Sequence, residues 1–149
     1  MINSRFALAV HVLALLAIEK KDEPTTSDYL ARSARTNPVV IRRILGTLRR
    51  AGLVTAQPGV GGGTSLACRP EDITLLEVYH AVGERELFSL GSREPNPYCI
   101  CGRNLQPILL DVFCEAEKAV EGTLAGITVA QIAGEVEMRD AQSQQVIAS

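Results

Sequence analysis

Apolar positions along the chain recur mostly at helical spacing, interrupted by clusters of proline, glycine and small polar residues. Phe6 to Ile18 is an apolar run of 13 residues after Arg5, and with its flanks it predicts a helix from about Ser4 to Glu19. Apolar nearly all round, that helix should be largely buried. Pro24 breaks the chain. Thr25 with Asp28 three residues on has the capping-box pattern and predicts a short helix through about Ser33. Asn37-Pro38 sets a cap residue before a proline at the first helical position, predicting a third helix to Ala51, with Gly52 placed to end it in the left-handed conformation. Leu53–Gln57 and Thr64–Cys68 flank a glycine-rich turn and read as a β-hairpin.

The second half is helical again. Thr74 with Glu77 is another capping box and Ile73 with Val78 a hydrophobic staple, so a helix runs from Thr74 to about Val82 and stops at Gly83. An irregular stretch through Arg103 carries Pro95, Pro97, Cys99 and Cys101. Asn104 then caps a long helix with an apolar stripe of Leu105, Ile108, Leu109, Val112, Phe113, Ala116, Val120 and Leu124. Thr128 with Gln131 starts a last helix, and the polar tail from Asp140 to Ser149 should fray. The fold class expected is mainly α with a small β-hairpin.

Composition narrows the choices. A chain of 149 residues, 46% hydrophobic and 21% charged, buries roughly 70% of its unfolded surface and folds without disulfide or metal. Four Cys are too sparse for a disulfide scaffold, and 4% aromatic residues without Trp disfavour a stacking platform. The run from Phe6 to Ile18 has the size of a signal-peptide core but is too short to span a bilayer, which takes about 20 residues. With His11 in its middle and charges behind it, a buried first helix of a cytoplasmic protein is the better reading, with no membrane contact.

Charge changes the picture most. Residues 1–28 balance to -1 and residues 71–149 to -8, whereas residues 29–70 hold seven Arg and no Asp or Glu. A sequence pI near 5.7 therefore conceals a cationic block. Within it, the third helix turns Ile41, Ile44, Leu45 and Leu48 to one side and Arg42, Arg43, Gly46, Arg49 and Arg50 to the other. A short helix, a tight turn and a basic amphipathic helix make a helix-turn-helix, whose second helix fits the major groove of double-stranded DNA. The hairpin behind it is a wing. Its glycines do not suit a nucleotide, since no Gly-Lys-Ser/Thr ending follows and Thr64 breaks the dinucleotide spacing.

An ordered set of residues carries a more specific likeness: Arg5-Phe6-Ala7, Ile44-Leu45 through Leu48-Arg49-Arg50-Ala51-Gly52-Leu53-Val54, Gly61-Gly62-Gly63, Arg69-Pro70, Ile73 to Val78, Ala81-Val82, and Thr123-Leu124 with Thr128-Val129. This set resembles the Rrf-two family of small bacterial winged-helix transcriptional regulators. Asn37 to Arg43 and Pro95-Asn96-Pro97-Tyr98-Cys99 look most like its YwnA-type branch. Arg42 stands where the commoner recognition motif has Glu, so the operator is not carried over. The resemblance implies a winged helix-turn-helix over residues 1–70. Residues 71–149 would hold a linker helix, a Cys-containing loop, a dimerisation helix and a C-terminal helix. The long apolar stripe could pack within the chain or pair symmetrically; the resemblance implies a homodimer interface.

The expected base readers are Asn37, Val39, Arg42 and Arg43, because Arg pairs with guanine and Asn with adenine in the major groove. Thr26, Ser27, Arg49 and Arg50 should meet phosphates, with Gly61, Gly62, Gly63 and Thr64 as the wing contact. Cys68 and Cys114 read as small packed residues, whereas Cys99 and Cys101 read as accessible thiols that either sense redox state or belong to a purely structural loop. Iron–sulfur members of the family carry three Cys in this region with wider gaps, so the spacing here disfavours a cluster and no cofactor or metal is expected. His11 matches a ligand position of one such member, but Ala7 stands where that member has Glu. The function expected is a dimeric, non-enzymatic repressor on a palindromic operator, redox-responsive through Cys99 and Cys101, with no catalytic residues. Its rival is a small thiol-disulfide protein using the same two Cys, disfavoured because no Cys-x-x-Cys opens a helix and no alternating βαβ pattern is present.

Overall fold

The computed structural model describes residues 4–19, 23–83 and 87–148. Among the described residues, six helices and one hairpin follow in the order α1 (Ser4–Ile18), α2 (Ser27–Ala34), α3 (Pro38–Arg50), β1 (Val54–Gln57), β2 (Gly63–Leu66), α4 (Leu75–Ala81), α5 (Ile100–Ala125) and α6 (Val129–Ile147). A single 3₁₀ turn, Pro70–Asp72, precedes α4. No described helix is long and apolar enough to cross a membrane.

The core forms where the first three helices converge. Val12 and Leu13 of α1, Leu30 of α2, and Ile41, Ile44 and Leu48 of α3 are fully buried together. Each such side chain contributes roughly 1.5–3 kcal/mol relative to exposure. The same cluster takes in Ile73, Val78 and Val82 from around α4 and Val129 from the start of α6. That last contact is held by a backbone bridge: the Leu75 N–H donates to the Ile127 carbonyl at 2.8 Å, and the Val129 N–H to the Ile73 carbonyl at 2.8 Å. Capping boxes at Thr74/Glu77 and Thr128/Gln131 fix both helix starts beside this bridge.

Both helices of the helix-turn-helix end in the same hydrogen-bond pattern. At the end of α3, the Leu53 N–H reaches the Leu48 carbonyl and the Gly52 N–H that of Arg49, with Gly52 at φ 78° as expected. At the end of α2, Thr36 reaches Ala31 and Arg35 reaches Arg32, with Arg35 in the left-handed region at φ 47°. Arg35 is the only non-glycine residue with positive φ among those described.

Four local expectations are corrected. The cap of α2 is Thr26, whose Oγ1 accepts the Tyr29 N–H; Thr25 is instead bridged to Thr64. Cys99, not Asn104, caps α5, so Cys99 and Cys101 occupy a helix start and not an irregular loop. Asn104 lies inside that helix, its side-chain amide donating to the Ile100 carbonyl. The tail expected to fray continues α6 to Ile147. The earlier start also makes Pro107 an interior helix residue.

Candidate nucleic-acid interface

α3 is oriented by its buried stripe, Ile41, Ile44, Leu45 and Leu48, which leaves Val39, Arg42, Arg43, Arg49 and Arg50 exposed. No carboxylate forms an ion pair with any of these four arginines among the described residues. Arg50 is the one tied back, its guanidinium donating to Thr47 Oγ1 at 3.3 Å. Asn37 accepts the Val39 N–H on Oδ1 at 2.8 Å, so its carbonyl serves the cap and only its amide NH₂ stays free. Paired recognition of adenine needs both halves. Thr26 is exposed and Ser27 half-buried at the start of α2.

The wing is a two-stranded antiparallel ribbon in which Val54 pairs with Leu66 and Ala56 with Thr64. Thr25 and Thr64 exchange backbone bonds of 2.9 and 2.8 Å, which dock the wing against the start of α2. That docking explains Gly63: its φ is 155°, and a Cβ there would lie 2.6 Å from the Thr25 carbonyl oxygen. Gly61 is exposed at the tip, while Gly62 and Gly63 are half-buried. Thr64, grouped by sequence with the wing contact, sits apart from the exposed tip. It is 6% exposed, turned under the wing and not out at its tip.

The four thiols lie in three places. Cys68 is exposed at the end of the wing, contrary to expectation, with its Sγ 3.6 Å from the Gly52 carbonyl. Cys99 and Cys101 are exposed at the start of α5, and Cys114 farther along the same helix is exposed too, again contrary to expectation. Backbone N–H groups of Gly102 and Cys101 at the open helix end hold the Cys99 thiol below its ordinary pKa.

The stripe of α5 is divided. Leu105, Ile108 and Val112 are about half exposed, at 48, 58 and 55%. Leu109, Phe113, Ala116, Val120 and Leu124 are half-buried, and Phe113 stacks on Phe88 with ring centroids 5.0 Å apart. Leu110, 54% exposed, was not anticipated in the stripe. No residue of this 26-residue helix is buried.

A basic, outward helix beside a docked wing is the geometry of a winged-helix DNA-binding head. The family model described as Rrf2, iron-dependent transcriptional regulator, matches residues 2–135. The chain belongs to the Rrf2 family. It is similar to YwnA of Bacillus subtilis, named as an HTH-type transcriptional regulator, at 43% identity over 125 residues, 84% of this chain and 91% of that protein. A crystal structure described as that of a DNA binding protein superposes with a TM-score of 0.68 at 36% identity, over 87% of this chain and 98% of that one. The fold is shared with T. potens IscR at a TM-score of 0.72 and 20% identity, over 93% of this chain and 90% of that one. The protein is therefore a member of a family of transcriptional regulators with a winged helix.

Iron in the family description invites a test of the donor set. Among the described residues no three His, Cys, Asp or Glu side chains come together to hold a metal. Cys114 lies thirteen residues along α5 from Cys101, roughly 20 Å at the helical rise. Within one chain, these thiols do not fit an iron centre.

Proposed function

We propose that this Rrf2-family protein is a homodimeric, sequence-specific repressor that occupies an inverted repeat in double-stranded DNA. The observation that carries the reading is the outer face of α3, where Arg42, Arg43 and Arg49 project without a carboxylate partner among the described residues. A polyanionic duplex supplies the missing charge, and the rigid fork of arginine suits phosphates and guanine edges alike. The likeness to YwnA supports the same assignment. Residues 1–70 are the reading head and 71–149 the assembly half. Pairing of two α5 helices through Leu105, Ile108 and Val112 covers the apolar strip and sets two heads on half-sites one or more turns, each about 10 base pairs, apart. The protein acts in the cytoplasm and has no catalytic role.

Cys99 gives the regulator its response. Its lowered pKa favours the thiolate, which attacks peroxide, breaks the O–O bond and becomes a sulfenic acid as hydroxide leaves. Selection of bound fragments from random DNA, with reduced and with peroxide-treated protein, tests both claims. Enrichment of a palindrome by the reduced protein, and its loss on oxidation in wild type but not in Cys99→Ser, is the expected result. Recovery of unenriched sequence overturns the DNA reading. Equal enrichment by both forms of the wild type overturns the switch.

A further inference from the structure

We propose that the cleft between α3 and the wing seats one backbone phosphate, clamped by Arg42 and Arg49, and that base reading falls to Arg43 beside Val39. This assignment rests on the DNA-binding reading above and divides the labour within it.

The cleft measures about 290 Å³ and is lined by Ser27, Arg42, Gly46, Arg49, Ala56 and Thr64 among others, with no carboxylate in its wall. Arg42, Gly46 and Arg49 stand at i, i+4 and i+7, one flank of the helix. Gly46 between them has no side chain, and a Cβ there would meet only the Arg50 guanidinium, at 3.6 Å. Opposite them, Thr64 shares a face of the hairpin with its partner Ala56 and with Val54, and both of these also line the cleft.

Thr64 is the decisive residue. It is 6% exposed, and its backbone N–H and carbonyl are both taken by Thr25. Its hydroxyl has no hydrogen-bond partner among the described residues. A buried hydroxyl left unpaired is costly, and an acceptor oxygen arriving in the cleft relieves it. Ser27, the first residue of the eight-residue α2, brings its hydroxyl and the positive end of that helix to the same cleft. Two arginines, two hydroxyls and a helix start form a donor set for a tetrahedral anion, whereas a base edge presents a planar mixture of donors and acceptors.

Arg43 lies elsewhere. It falls on the outermost line of α3 with Val39 four residues before and Arg50 seven after, and Arg50 is drawn back onto Thr47. Arg43 is thus the guanidinium left to probe the groove floor, with exposed Val39 placed for a thymine methyl.

The test uses the full chain, the duplex it selects from random DNA, a scrambled duplex, and copies of the selected duplex with one uncharged methylphosphonate at each position in turn. Wild type should lose about tenfold in affinity at one symmetry-related pair of positions. Arg42→Ala and Arg49→Ala should weaken selected and scrambled duplexes by the same factor and flatten the log–log salt slope by about 0.9 per half-site. Each should lose clearly less than wild type from the methylphosphonate at that position, because one arm of the clamp is already gone. Thr64→Val, close in shape, should show the same non-additivity at smaller size. Arg43→Ala should instead reduce the selected-to-scrambled ratio by roughly 10- to 100-fold and keep the methylphosphonate penalty. An Arg42→Ala protein that loses discrimination, or whose loss adds fully to that of every methylphosphonate, overturns the clamp. A wild type that binds both duplexes equally overturns the DNA reading itself, and does so before any variant is compared.

Discussion

Two helices of this protein face solvent in opposite ways. α3 is 13 residues long, buries Ile41, Ile44, Leu45 and Leu48, and exposes arginine. α5 is twice that length, buries nothing, and exposes Leu105, Ile108, Leu110 and Val112. One surface lacks counter-charge, the other lacks apolar cover. A surface advertises the chemistry of what completes it: on the reading proposed above, a polyanion for α3 and a second apolar helix for α5. On that proposal, recognition and assembly fall to different helices, so that a change to one should leave the other's task standing.

That separation can be broken in graded steps. Leu48→Ala, on the inner side of α3, should cost about 2–5 kcal/mol of stability in a urea titration, because Leu48 is fully buried in the shared core and its removal leaves a cavity. Ile108→Asp, on the open strip of α5, should leave the monomer folded yet weaken self-association by roughly 100-fold in sedimentation equilibrium, since the new charge is desolvated only on pairing. If it unfolds the chain without dissociating a dimer, α5 belongs to the core and the contrast fails. Thr128→Ala should cost about 1 kcal/mol by removing the cap that seats α6 beside α4. Smallest is the response of Cys99. Its alkylation by iodoacetamide should follow a pH profile with a midpoint below the ordinary thiol value of about 8.5, rising back to that value in urea as the helix start is lost.

The sequence made the reading head more legible than the assembly half, and for a physical reason. Around α3 every local signal agrees: Asn37 before Pro38, a four-residue buried stripe, and Gly52 at the stop. The charge block between residues 29 and 70 was likewise readable by counting. Signals conflict at the start of α5. Pro95, Pro97 and Gly102 suggest a loop, and Asn104 is a better cap by type than Cys99, yet the helix begins five residues earlier. Tertiary pairing decided two more positions. Thr25 could have capped α2, but the wing claims its backbone through Thr64, and this same bridge buries Thr64 and requires Gly63. Nothing in the spacing of those residues reveals a contact made across 39 positions of chain. Cys68 was read as packed because Cys usually is, but at the end of the hairpin it faces solvent.

The most direct test of the central claim is the affinity of the wild-type protein for its selected duplex and for a scrambled one across a series of salt concentrations. Guanidiniums arrayed on α3 predict a log–log slope steeper than about -4 and a preference of roughly a thousandfold or more for the selected sequence. A slope near zero, or one affinity for both duplexes, would contradict it.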